Sequence, residues 1–492
     1  MSFHLQDKPR LRSAVFNTPL ILSWAAGILL GLSYLAMPGY LFWASLALFL
    51  FIIVLFRNYR YGYYLVVLIL PVDRTHLTLG LGDISGYRVW IFPYALLLCI
   101  TLVVWLVSRT WDSERNDKTM PMGGLLLFMA TYMVISLLWA PHFDLAFYLA
   151  LSLILNFSVF FLTRAVIIDA VALRRAAIAW SGMGFITATG VILSNWYSYT
   201  YTVWLSKRLY LDVNFGKISS RLAGLGGPDF VGGLLVSSIF ITMGIFMTSK
   251  GLARKTFLFL LMVYQTVAMI ETSSRGALIG FIAGLVLLFS IHPASKNKML
   301  KHSFFSIFLL IVMILIAKPA YIDRILVGFG YTGELYFSDT QQVSSTTSQS
   351  STDTGGLSSR VKWWKKAFKE MLNHPYKLIL GLGVGGFITY SGAIYTHSVP
   401  LSFFFDLGLM GALIFTFLAI ILFINFSRYL SHAQRTPSYY IFLASVVAFV
   451  AEVAVHGLID YDFYSYAARM FWFPLSWVCA ACNVVMAENP DL

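Results

Sequence analysis

Apolar residues run through this chain in long blocks, not at the spacing of an amphipathic helix or strand. The blocks fall near 19–36, 40–56, 61–78, 89–107, 122–139, 143–167, 174–194, 229–248, 255–271, 275–291, 303–318, 398–426, 438–456 and 467–487. A bilayer core takes about 20 apolar residues per helix, and a spanning segment must satisfy its backbone hydrogen bonds internally. The pattern predicts an all-α polytopic membrane protein of about 14 transmembrane helices (12–14). The third block is the weakest, because Pro71 and Asp73 interrupt it. No small-residue cleavage site follows the first block, so it reads as a retained helix and not a signal peptide. No stretch is left over for a separate soluble domain.

One long polar segment, 319–396, breaks the sequence of blocks. It divides the chain into helices 1–11 (1–318), a loop (319–396) and helices 12–14 (397–492). Within the loop, 338–359 is rich in Ser and Thr and reads as flexible. Ser359 to Leu372 follows as an amphipathic helix. Trp364, Ala367, Phe368, Met371 and Leu372 share one face, while Arg360, Lys362, Lys365, Lys366 and Lys369 take the rest. Such a helix is expected to lie in the membrane interface. A glycine-rich turn, Gly381 to Gly386, comes next, and the chain re-enters the bilayer at His397.

Composition agrees: 59% of residues are hydrophobic and 12% charged. The Lys/Arg bias of short loops sets orientation. Every second loop is basic, as with Arg57 and Arg60, Arg174 and Arg175, Lys250, Arg254 and Lys255, or Arg428 and Arg435. Both termini are therefore expected on the inner, cytoplasmic side and the long loop on the outer side. That rule accounts for only part of the +13 net charge. Arg74, Arg88, Lys207, Arg208, Lys217, Arg221, Arg275, Arg360 and the lysines of the amphipathic helix fall on the outer side. They suit anionic lipid headgroups or a shared anionic substrate, and Arg geometry fits phosphate best. The lipid bilayer is an expected partner; nucleic acid is not. Cys479 and Cys482 form a C-x-x-C inside the last block without a second ligand pair, which speaks against zinc or redox chemistry.

Several residues can carry chemistry. Arg275 stands in Thr272-Ser-Ser-Arg-Gly-Ala277 between two closely spaced blocks. An ionisable residue at that depth usually has a partner or ligand; a snorkelling arginine at a tight turn is the plainer reading. Arg221 precedes a block, in a Gly-rich segment ending at Pro228 that permits close backbone approach to a ligand. His397 opens a block, and a neutral imidazole there can act as general base. Asp406 lies deeper in the same block and reads as a buried hydrogen-bonding or ion-pair partner. Glu452 and His456 are one turn apart and suited to pairing with outer arginines. Asp460-Tyr-Asp462 resembles the acidic pair that holds a divalent metal in many glycosyltransferases.

In this order the pieces resemble the O-antigen ligase and polysaccharide polymerase superfamily. The resemblance rests on four segments: Arg221 to Pro228, the Thr-Ser-Ser-Arg-Gly-Ala turn, Arg360 and Trp364 leading to His374-Pro375 and Gly381 to Gly386, and His397 followed by Asp406-Leu-Gly-Leu-Met-Gly411. Ser398 stands where relatives often carry Asn, Asp229 where Asn is common, and Asp406 for a frequent Glu. The resemblance implies a glycosyltransferase without cofactor or metal. It would take glycan from an undecaprenyl-pyrophosphate-linked donor and join it to a hydroxyl on lipid A core or on another lipid-linked repeat. His397, Arg275 and Arg221 would be catalytic, with Arg88, Arg360, Asp406 and Asp460 contacting substrate or pyrophosphate. The alternative is a flippase or transporter of lipid-linked oligosaccharide. Such folds are often built from repeated halves, and this sequence shows no internal repeat.

Overall fold

The computed structural model describes residues 58–72, 75–84, 87–91, 93–109, 122–204, 209–215, 217–218, 221–222, 224, 226–291, 357–392, 396–433, 435–458 and 468–489. The expected spans at 19–36, 40–56 and 303–318, the loop segment 319–356, and Asp460 and Asp462 lie outside them.

Where the sequence is continuously apolar, the chain is helical. Among the described residues, seven helices are long and apolar enough to cross a membrane, and three more are shorter apolar helices of 10–17 residues. In chain order the elements are α1 (Tyr59–Ile69), β1 (Thr75–Ile84), β2 (Tyr87–Ile91), α2 (Pro93–Arg109), α3 (Met122–Ser136), α4 (Phe143–Val166), α5 (Ala170–Leu193), β3 (Tyr199–Trp204) and β4 (Leu209–Phe215). There follow β5 (Lys217–Ile218), β6 (Arg221–Leu222), α6 (Pro228–Thr248), α7 (Leu252–Glu271), α8 (Arg275–Ile291), α9 (Leu357–Asn373), α10 (Tyr376–Leu380), α11 (Gly386–Ser391), α12 (Val399–His432), α13 (Pro437–Phe449) and α14 (Arg469–Glu488). Local chemistry sets several boundaries. Asp169 caps α5 by accepting from the Ala172 N–H at 2.7 Å, and Thr436 caps α13 by accepting from the Tyr439 N–H at 3.2 Å. Proline stands in the first turn of α6, α12 and α13, where its missing donor is not needed.

The expectation of an all-α chain needs one correction. The molecule is mostly helical, but β1 to β4 form a four-stranded antiparallel sheet in the order β2-β1-β4-β3. β1 pairs with β4 from Thr75↔Val213 to Leu79↔Leu209, so the end of the third expected span joins an expected outer loop. The third expected span accordingly stops at Ile69, just before Pro71, and gives way to strand. Alternation of Leu77, Leu79 and Leu81 with Thr and Gly, and of Tyr199, Tyr201 and Val203 with Thr200 and Thr202, carries the period of two that strands require.

By contact pattern the chain divides into two units, 1–62 with 100–113, and 63–99 with 114–492. In the first, the described residues are the start of α1 and the C-terminal part of α2. In the second, α6 is the central helix, with 94% of its apolar window buried. Small residues let helices approach closely there: a Cβ at Gly244 would lie 2.8 Å from the Ala444 Cβ, and one at Gly232 2.9 Å from the Ala277 Cβ. Side-chain hydrogen bonds join the same helices, Thr242 to Ser181 at 2.9 Å and Trp477 to Ser445 at 2.6 Å.

One end of this second unit gathers the starts of several helices. The Arg469 guanidinium, fully buried at the start of α14, lies 4.4 Å from the Tyr94 ring of α2 and 4.0 Å from the Phe230 ring of α6. Phe403 of α12 packs on Phe471 of α14 with ring centroids 6.2 Å apart. The turn before α8 sits against Gly232 of α6. The starts of α8 and α12, with Arg275 and His397, belong to this end.

Candidate active site

His397 precedes the long helix α12 in an unusual backbone conformation, with φ +56°. Left-handed geometry is rare outside glycine, and the neighbouring bonds show what maintains it. The Thr396 hydroxyl donates to the Ser398 carbonyl at 2.9 Å and also pairs with the Ser402 hydroxyl. The Ser398 N–H returns to the Thr396 hydroxyl at 3.3 Å. From α9, the Trp364 indole N–H donates to the Thr396 carbonyl at 2.8 Å. Trp363, its neighbour, stacks on the imidazole at a centroid distance of 6.0 Å and an interplanar angle of 18°. The imidazole itself is half-buried.

α9 extends the expected amphipathic helix by a residue or two at each end. Ala367 and Met371 are buried in a cluster with Leu382, Phe387 and Phe405, against which Trp363, Trp364 and Tyr390 pack. Phe368 and Leu372, expected on that same face, are 42% and 53% exposed and form its edge. The apolar face thus packs mainly on protein, and only its rim and the lysine side are free to meet an interface. Arg360, expected on the polar side, is instead half-buried and lies one turn before the two tryptophans on their face, because i and i+4 align on a helix. Glu370 is engaged at 2.6 Å by Lys377, whose ammonium also donates to the Tyr390 hydroxyl. Burial works to lower the Lys377 pKa, but these two hydrogen bonds outweigh it and the net shift is upward.

The glycine turn is fitted into a break in α12. Gly408, at φ +66°, interrupts the helix. At the break, the Phe405 and Asp406 carbonyls accept from the Leu382 and Gly383 N–H groups at 2.8 and 3.0 Å. Gly381, at φ +83°, admits no Cβ, because one would run into the Asp406 carbonyl. The Asp406 carboxylate has no exposed surface and accepts from the Phe387 N–H at the start of α11, at 3.0 Å. Its geometry gives it the work of holding the glycine turn, as a buried hydrogen-bonding partner. The turn also rests on α3, through the Tyr132 hydroxyl to the Leu380 carbonyl at 3.2 Å and the Val384 N–H to the Ser136 hydroxyl at 3.4 Å.

Arg275 is the first residue of α8 and is half-buried. The turn before it is tightly organised. Ser273 adopts φ +53°, and the Ser274 hydroxyl accepts from the Ala277 N–H at 3.3 Å. A guanidinium here adds to the positive end of the helix dipole, a setting favourable to an anion. Arg221 lies in β6 opposite Ile218. Three residues on, Gly224 (φ +62°) lies so close to α5 that a Cβ would be 2.7 Å from the Gly190 carbonyl carbon. Arg88 lies on β2, an edge strand of the four-stranded sheet.

Glu452 and His456 differ from expectation. Both are fully buried, and they pair with each other at 3.4 Å across the turn Val450–Val455, which is π-helical. That turn packs on Gly280 of α8, where a Cβ would come 3.6 Å from the His456 Cβ. Sequence reasoning missed Trp363, although two consecutive tryptophans on an amphipathic helix were a signal for it. Arg469, a charge opening an apolar block, was likewise visible and passed over.

Residues 257–416 match the family model described as O-antigen ligase. Over that segment, about a third of the chain, the sequence is similar to the O-antigen ligase family. No curated protein matches the chain. The O-antigen ligase segment begins in α7 and ends within α12. It takes in Arg275, Arg360, His397 and Asp406, while Arg88, Arg221 and Asp460 fall outside it. The superfamily is one of membrane glycan ligases and polymerases, in keeping with the apolar helices of this chain.

Proposed function

We propose that this protein transfers glycan units from undecaprenyl pyrophosphate to a hydroxyl acceptor at the periplasmic face of the inner membrane. The observation that carries the reading is His397, held beside α9 and before α12 inside the O-antigen ligase segment. Its imidazole takes the proton of the acceptor hydroxyl, a contribution on the order of 10² to 10⁴ in rate. The acceptor oxygen then bonds to the anomeric carbon as the bond from that carbon to the pyrophosphate oxygen breaks. The electron pair leaves with undecaprenyl pyrophosphate, and this single displacement inverts the anomeric configuration.

Arg275 and Arg221 neutralise the charge that grows on the departing pyrophosphate. Arg360 and Arg88 hold the remaining phosphate oxygens or the first sugar. Because the lipid pyrophosphate is already activated, the reaction draws on no nucleotide, and the arginines supply the positive charge that a metal brings elsewhere. Growing chain added to a lipid-linked repeat makes the protein a polymerase; transfer to lipid A core makes it a ligase.

The test is in-vitro transfer with purified protein and lipid-pyrophosphate-linked repeats, comparing wild type with His397→Ala. Elongated chains from wild type alone are expected of a polymerase, and product only after lipid A core is added is expected of a ligase. Donor binding without transfer to either acceptor would move the assignment to a flippase.

A further inference from the structure

A residue other than glycine keeps a left-handed backbone only where its surroundings over-determine it. At His397 the restraint comes from α9 on two sides. Trp364 anchors the backbone through the Thr396 carbonyl at 2.8 Å, and Trp363 stacks on the imidazole, nearly parallel to it at 18° with centroids 6.0 Å apart. Consecutive residues on a helix point about 100° apart, so one turn of α9 reaches both the ring and the peptide that carries it. The same turn is fixed below by Ala367 and Met371, buried against the glycine turn and α12.

We infer that Trp363 is a positioning residue for His397, with Trp364 securing the backbone on which the ring is mounted. This rests on the transfer reaction proposed above. The stacked indole limits rotation of the imidazole. Its π face also lies beside the positive charge that the imidazole gains as it takes the acceptor proton, and an aromatic face favours a cation there. α9 thereby couples the outer loop to the reacting base: if α9 is out of place, both restraints on His397 go with it.

The experiment uses the full-length protein in nanodiscs and two readouts. The first is the rate at which diethyl pyrocarbonate modifies His397, followed by peptide mass spectrometry. Trp363→Leu is expected to raise that rate severalfold, and Trp363→Phe to restore it. The second is turnover: Trp363→Leu is expected to lower kcat by about tenfold to a hundredfold with the donor KM unchanged, and Trp363→Phe to recover most of the loss. Equal modification rates in wild type and Trp363→Leu would overturn the stack. Faster modification with unaltered kcat would overturn the positioning role. A wild type that modifies as expected yet transfers no glycan sinks the proposed reaction and the role drawn from it, while the stack stands. Should Trp363→Leu fail to fold, Trp364→Phe keeps the ring and removes the donor to Thr396. Slower turnover at constant KM then supports the inference, and wild-type kcat refutes it.

Discussion

Arg275 and Asp406 show how much a side chain's surroundings decide. Both are ionisable residues in apolar sequence, and both were candidates for meeting substrate. Asp406 has no exposed surface, and one oxygen of its carboxylate accepts from the Phe387 N–H; Arg275 heads α8 with part of its surface open. If Arg275 meets pyrophosphate, its planar fork matters as well as its charge, since lysine cannot offer two parallel N–H groups. Arg275→Lys is then expected to lower kcat/KM for the lipid-linked donor by about tenfold or more. A variant that expresses normally and turns over at the wild-type rate would remove Arg275 from the pyrophosphate site.

Among the elements, the glycine turn and broken α12 form one unit. Gly381 and Gly408 both occupy conformations that strain any other residue, and each allows the other backbone to approach. Gly381→Ala combines strain of about 1–3 kcal/mol, in a backbone region open essentially to glycine alone, with a Cβ thrust at the Asp406 carbonyl. The expected outcome is a lowered Tm and faster amide exchange across 381–391 and 399–408. Asp406→Ala removes the cap on α11 and leaves the Phe387 N–H buried, a cost of about 1–3 kcal/mol, and is expected to loosen the same segment. Exchange that changes only at the mutated turn, with α12 unaffected, would show the two to be independent. The glycine spacing and the helix before it were legible in the sequence. That the turn fits into a break at Gly408 was not, because nothing local says which glycine in an apolar helix will break it.

For the whole molecule, orientation carries the mechanism. The Lys/Arg bias assigns the ends of α6 and α7 that carry Lys250, Arg254 and Lys255 to the cytoplasm. On the proposed orientation, the starts of α8 and α12, with Arg275 and His397, face the periplasm. Lys217, in β5, and Arg254, at the start of α7, are both exposed. In a Cys99→Ser background, where the two remaining cysteines are buried, Lys217→Cys is expected to react with an impermeant maleimide added to intact spheroplasts. Arg254→Cys is expected to react only after lysis. The reverse pattern would put the candidate site on the cytoplasmic side, away from a periplasmic acceptor.

Sequence alone determined that this chain lives in a bilayer, because continuous apolar blocks have no other stable solvent. It placed ten of the blocks where the described helices lie, and it pointed to Arg275 and His397, since ionisable residues stand out against apolar surroundings. Tertiary structure decided what such signals cannot contain. Pairing of β1 with β4 joins segments more than a hundred residues apart in the chain, and strand pairing is a long-range choice. The Glu452–His456 pair, the Arg469 stack and the Trp363–His397 stack depend likewise on which surfaces meet. Pattern along a chain fixes what each segment must hide from or show to its solvent; only packing fixes which neighbour it hides against.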